Sequence, residues 1–193
     1  MKAFKSLVTA SIGLGLLVLN TSANAASLVL EAGIHFGGDE LARATYTNGS
    51  TTTIDAGALF SLGVGVGLDL APNVESRITF GIKTDDTTAS NGDISFTRYP
   101  IDVLFLYKTG DWKLGAGITY HLNPKLEGGG VVSGLRADFD DALGVLLEAD
   151  YDLRIMYLGA RVTFIEYESI PTATVRRATI DGNSIGFVAG VRF

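Results

Sequence analysis

The chain has 193 residues, a formal net charge of -6 and no cysteine. That length suits one domain, and 47% hydrophobic against 19% charged residues argues against disorder. Without Cys there are no disulfides, thiolate zinc sites, iron–sulfur clusters or Cys nucleophiles, and an acidic chain with no basic cluster offers no footprint for nucleic acid.

The first element is a leader. Lys2 and Lys5 precede an uncharged apolar stretch from Leu7 to Leu19, and Ser22-Ala23-Asn24-Ala25 places small residues at the -3 and -1 positions of a cut after Ala25. This is the three-part pattern of a secretory signal peptide, and the run is short for a membrane anchor. The expected division is therefore a signal peptide over 1–25 and one domain over 26–193. Cleavage removes two positive charges and shifts the mature chain from -6 to -8. No later apolar run is long enough for a spanning helix.

Period-2 alternation then predicts eight strands. Leu28, Leu30, Ala32, Ile34 and Phe36 alternate with Val29, Glu31, Gly33 and His35. The second strand sets Ala58 through Leu70 against Ser61, Gly63, Gly65, Gly67 and Asp69; the third sets Val74, Ile78, Phe80 and Ile82 against Glu75, Arg77, Thr79, Gly81 and Lys83. In the fourth, Tyr99, Ile101, Val103, Phe105 and Tyr107 face away from Arg98, Asp102, Leu104, Leu106 and Lys108. The fifth is the clearest: Trp112, Leu114, Ala116, Ile118, Tyr120 and Leu122 against Lys113, Gly115, Gly117, Thr119, His121 and Asn123. The sixth opposes Leu143 through Leu153 to Glu148, Asp150 and Asp152, the seventh Met156 through Phe164 to Tyr157, Gly159, Arg161 and Thr163, and the last Ile185 through Phe193 to Gly186, Val188, Gly190 and Arg192.

These strands are longer than the usual five or six residues and suit a tilted bilayer crossing. Aromatics mark both ends of the apolar faces, as Tyr99 with Tyr107 and Trp112 with Tyr120. Each pair is eight residues apart, about 26 Å along a strand and about 20 Å after a tilt of roughly 40°. Tyr and Trp, apolar with a polar tip, suit a membrane interface. The apolar face is thus expected in lipid and the polar face in a lumen. Lipid offers no hydrogen bonds, so the sheet must close into an all-β, eight-stranded antiparallel up-and-down barrel. The lumen charges, Glu31, Asp69, Glu75, Asp102, Glu148, Asp150 and Asp152 against Arg77, Lys83, Arg98, Lys108, Lys113, Arg161 and Arg192, should pair, because an unpaired buried charge costs several kcal/mol. The expectation is an ion-pair plug and no wide pore. The connections alternate short (Ala71-Pro72-Asn73, Thr109-Gly110-Asp111, and a turn near Asp152 to Arg154) with long (about 37–56, 84–93, 124–142 and 166–183).

On these features the mature chain resembles the small eight-stranded outer-membrane barrels of Gram-negative bacteria, such as the OmpA transmembrane domain, OmpX and OmpW-like proteins. The last strand, Gly186-Phe187-Val188-Ala189-Gly190-Val191-Arg192-Phe193, with its carboxy-terminal Phe193, is similar to the signal read by the barrel-assembly machinery. The resemblance implies outer-membrane localisation and a monomer. It implies as partners lipopolysaccharide and other membrane lipids, with the assembly machinery and periplasmic chaperones during biogenesis. With the chain ending at this strand, no peptidoglycan-binding domain is expected.

Chemistry is sparse, and no cofactor is expected. His35 and His121 should face the lumen near its extracellular end; Asp39, Glu40 or Glu127 could complete a metal site, but a packed interior His is favoured. The segment from His121 to Lys125, with Glu127 beyond, resembles the His-x-Ser-Asn motif of the lipid A deacylases. Asn123 stands where the nucleophile should be and nothing fixes Ser133 near His121, so no enzyme is expected. Asp138-Phe139-Asp140-Asp141 lacks the Gly and distal Glu of an EF-hand loop and reads as solvated surface. Arg176-Arg177 could meet lipopolysaccharide phosphates but reads first as surface charge. Gly63-x-Gly65-x-Gly67 precedes no helix, which rejects phosphate binding. Functionally, a structural or surface-interaction protein presenting four loops leads. A narrow passage for small apolar molecules, as in OmpW-like barrels, comes second.

Overall fold

Alternating apolar and polar side chains on long Gly-containing, Pro-poor segments leave the backbone one arrangement that satisfies its hydrogen bonds and sorts its faces, a closed sheet. The computed structural model describes residues 26–45, 51–89, 92–171 and 176–193. The leader expected over 1–25 lies outside the described residues.

Eight strands form the barrel: β1 (Ala26–Phe36), β4 (Leu59–Ala71), β5 (Val74–Ala89), β6 (Gly92–Thr109), β7 (Trp112–Gly128), β9 (Ala142–Asp152), β10 (Met156–Phe164) and β13 (Ser184–Arg192). Each pairs antiparallel with its sequence neighbour in this set, and β1 pairs with β13 to close the ring. At the seam, the Leu28 amide donates to the Phe193 carbonyl and the Phe193 amide to the Leu28 carbonyl, both at 3.0 Å. Three short turns lie at one end, with both Ala26 and Phe193.

The other end differs from the expectation of four plain loops. Within the segment 84–93, residues 84–89 and 92–93 are strand and not loop: β5 runs on to Ala89 and β6 begins at Gly92, with Asp85 paired to Phe96 and Thr87 to Ile94. The remaining long connections carry hairpin elements: β2 (Glu40–Thr45) with β3 (Thr51–Asp55), β8 (Arg136–Asp138) against the extended end of β7, and β11 (Glu166–Glu168) with β12 (Thr179–Asp181). A single turn of 3-10 helix spans Gly130–Val132.

These extensions enclose an apolar cluster of Ile54, Ala56, Ile94, Phe96, Leu126, Phe139, Ala142, Ile165 and Tyr167. Phe96 makes edge-on contacts with Phe139 (5.5 Å) and Tyr167 (5.6 Å). A bulge makes this cluster possible. At Asn123, in the left-handed region with φ 48°, β7 carries an extra residue opposite β6. The inward phase of β7 therefore changes from odd positions such as Thr119 and His121 to the even position Leu126. On β7 the inward positions below the bulge, Lys113, Thr119 and His121, are polar, and Leu126 above it is apolar.

Over the barrel wall the faces fall as the alternation requires. Leu30, Ile34, Val64, Phe80, Phe105, Leu114, Ile118, Val145, Leu158 and Phe187 are exposed on the outside, while Glu31, Arg77, Asp102, Thr119, Glu148, Asp150 and Arg161 are buried inside. Such a continuous apolar exterior on a closed barrel needs lipid around it.

Candidate functional site

The inward face of the barrel gathers charges that are far apart in sequence. Arg77 on β5 is wholly buried. Its Nη1 donates to Glu148 at 2.6 Å and more weakly to Glu31 at 3.4 Å, and its Nη2 donates to Asp150 at 2.5 Å. Arg161 on β10 reaches Glu148 at 2.5 Å, Glu31 at 2.7 Å and Asp102 at 3.2 Å. The two guanidiniums thus share Glu31 and Glu148. Nearer the turn end, Lys113 pairs with Glu75 (2.6 Å) and Asp152 (3.0 Å), Arg192 donates to Asp152 (2.8 Å), and Lys108 donates to Asp69.

Tyr157 stitches this array together. Its hydroxyl donates to Glu31 at 2.6 Å, and the guanidiniums of Arg77 (4.2 Å) and Arg192 (4.7 Å) both lie over its ring. Glycines give it room: a Cβ at Gly190 would fall on the Tyr157 ring, and one at Gly159 on the Asp150 carboxylate. The rest of the lumen is filled by buried Val29, Leu104, Leu106, Leu146 and Val188.

Of the fourteen lumen charges expected to pair, twelve meet an opposite charge; Lys83 donates instead to Ser184 Oγ at 3.2 Å, and the remaining exception is Arg98 on β6. Among the described residues no carboxylate lies within 4.0 Å of its guanidinium. It donates to the carbonyls of Phe96 (3.3 Å) and Ala58 and lies 4.6 Å from the Phe96 ring centroid. Its place at the boundary with the apolar cluster explains this, since backbone carbonyls and a ring face are what that layer offers. The alternation places Tyr157 on the inward face but assigns it no partner, and it says nothing of Tyr167. Tyr157 had a signal, an aromatic in phase with Gly159 and Arg161; Tyr167 had none, because it sits in a connection.

The aromatics Tyr99, Tyr107, Trp112 and Tyr120 all lie on the outside. Trp112 is joined there by Tyr151, its cross-strand partner, at 5.2 Å. Both histidines are buried inside. His35 Nε2 hydrogen-bonds with Ser61 Oγ at 2.8 Å, and His121 Nδ1 with Tyr167 Oη at 2.6 Å. Burial pushes the Tyr167 phenol up to about 12, against the pull of Arg98. Asp39, Glu40 and Glu127 are engaged elsewhere: Asp39 accepts the Asp181 amide, Glu40 pairs with Arg43, and Glu127 with Lys125. Among the described residues no cluster of three or more metal-ligating side chains forms. Arg177 is held by Glu168 and, at 3.5 Å, by Asp140.

No family model and no curated relative matches the sequence. Solved structures do match. Ail, the attachment invasion locus protein of Yersinia pestis, superposes with a TM-score of 0.56 at 9% identity, over 89% of this chain and 100% of that one. Neisserial surface protein A gives 0.51 at 12% identity, over 89% and 100%. At such identities the likeness is one of fold, and on fold the chain takes its place with the small eight-stranded outer-membrane β-barrels.

Proposed function

We propose that this outer-membrane barrel is an anchor closed to solutes, whose work is done by the structured cap at its loop end. The observation that carries this reading is the double filling of the interior. An ion-pair layer around Arg77 and Arg161 occupies the lumen, and the apolar cluster around Phe96 covers it. A passage for small apolar molecules would need both layers to part. The test is single-channel conductance of the refolded barrel in planar bilayers. Only brief, small events are expected; a stable large conductance would defeat the reading.

Charge distribution narrows the partner. The lumen carries seven carboxylates and seven basic side chains. The loop end carries thirteen carboxylates, Asp39 through Asp181, against Arg43, Lys125, Arg136, Arg176 and Arg177, and so holds the whole excess of eight negative charges. In the usual orientation, short turns lie in the periplasm and this acidic cap faces outward. It repels lipopolysaccharide phosphates unless divalent cations bridge them, and it attracts basic surfaces. Arg177, already held by two carboxylates, gives little support to direct phosphate contact. One Ail structure contains the heparin analogue sucrose octasulfate; the sign of the cap argues against such a polyanion here. A deacylase role has equally little support, since His121 is sealed inside and bonded to Tyr167. Phe193, paired to β1 at the seam, remains the proposed assembly signal.

A further inference from the structure

β10 and β9 stay paired as far as Phe164 and Val145. Beyond that point β11 leaves the wall and pairs with β12 instead. A groove of about 590 Å³ lies on the outside where they part. Ile118, Leu143, Val145 and Phe164 line its lower half, all apolar and exposed on the lipid face. Glu166 and Glu168, on the outward face of β11, line its upper half. Leu143 is the cross-strand partner of the girdle residue Tyr120, so the change from apolar to acidic lining falls at the membrane surface.

The acidic half is short of positive charge. Glu166 stands opposite Asp181 on β12, and like charges so placed repel. Arg177 holds Glu168, but among the described residues no basic side chain lies within 4.0 Å of Glu166 or Asp181. Asp181 accepts the backbone and side-chain amides of Asn183, at 2.7 Å and 3.0 Å, which leaves its charge in place. We propose that the groove seats one outer-leaflet lipid whose headgroup bears a primary amine. Its acyl chain runs along Ile118, Val145 and Phe164. Its ammonium donates to Glu166 and offsets the charge that this residue and Asp181 bring together. A lipid suits the groove better than a basic protein segment does, because the lower half lies within the bilayer. A headgroup carrying only phosphate would be repelled. The proposal rests on the place of the cap at the membrane surface and not on a closed lumen, so conductance measurements test a separate claim.

The test uses the refolded barrel with Trp112→Phe and Phe164→Trp, which puts the one tryptophan in the groove. Vesicles of phosphatidylcholine carry a small fraction of brominated lipid, either phosphatidylethanolamine or phosphatidylcholine. The two heads have the same net charge, but only the first can donate hydrogen bonds. Quenching should show brominated phosphatidylethanolamine favoured at the groove by about two- to fivefold, the worth of one exposed ion pair. Glu166→Gln, at an exposed side chain with no cationic partner, should abolish the preference, and native Trp112 at the turn end should not show it. Equal quenching by the two lipids at the groove, a preference that survives Glu166→Gln, or the same preference at Trp112 would each overturn the proposal. Weak quenching by both lipids would mean that a second copy of the chain covers the groove, and would overturn it as well.

Discussion

Replacing Arg77 with Met tests whether the lumen is a dry ion-pair network. The side chain is wholly buried and bonds three carboxylates, Glu148 at 2.6 Å, Asp150 at 2.5 Å and Glu31 at 3.4 Å. Glu148 and Glu31 keep Arg161 when Arg77 is lost, but Asp150 has no other cation within 4.0 Å among the described residues. Removing one partner from a buried pair leaves an uncompensated charge and costs about 3–5 kcal/mol. Met keeps much of the volume, so the loss is electrostatic. Adding Asp150→Leu removes the stranded charge and should recover at least about 1 kcal/mol, within the usual range for coupled neighbours. The assay is urea unfolding in lipid vesicles, read by the gel shift between folded and unfolded barrel. A midpoint unchanged by Arg77→Met, or a double variant as unstable as the sum of the singles, would show that water solvates the interior and refute this reasoning.

Other expectations concern the exterior and the cap. Ile118→Arg places a charge mid-bilayer on the lipid face and should cost about 2–4 kcal/mol in the same assay; a neutral result would count against its facing. Phe96→Ala should cost about 3–5 kcal/mol. Because Phe96 serves the cap, the loss should appear as faster protease cleavage above the membrane while the gel shift persists. The Tyr167 phenol has a folded value of about 12 against an ordinary 10. Between those values the folded cap keeps a proton that the unfolded chain gives up, so its stability is full below pH 10 and falls as pH rises toward 12. Tyr167→Phe should remove that slope and, by leaving His121 without its partner, lower cap stability by about 1–3 kcal/mol at neutral pH; amide exchange across β11 and β12 is the measurement.

The wall of the barrel was legible because one rule, period 2, acts on every strand and lipid admits no exception. Ile118 outward and Thr119 inward follow from spacing alone. The cap was not legible for the same rule's sake. Ile94 and Phe96 share the inward phase of Arg98 and Asp102, yet above the membrane the chemistry of that face inverts, because water now lies outside. On β7 the bulge at Asn123 breaks the phase as well, hiding Leu126. The charges of the lumen could be named but not matched: that Arg77 and Arg161 share Glu148 while Arg98 finds carbonyls and a ring face depends on strands distant in sequence meeting, which no local pattern encodes.

The most direct test of the facing uses the single tryptophan. Trp112 lies on the outside at the turn end, and Ile118, six residues on, lies about 15 Å deeper after tilt. In vesicles of brominated lipid, native Trp112 fluorescence should be quenched most by bromines near the headgroup end of the acyl chain. In a Trp112→Phe, Ile118→Trp variant, the quenching should be strongest with bromines near the chain terminus. Tryptophans at both positions left unquenched at every bromine depth would mean that these side chains do not touch lipid, and the barrel described here would be inside out.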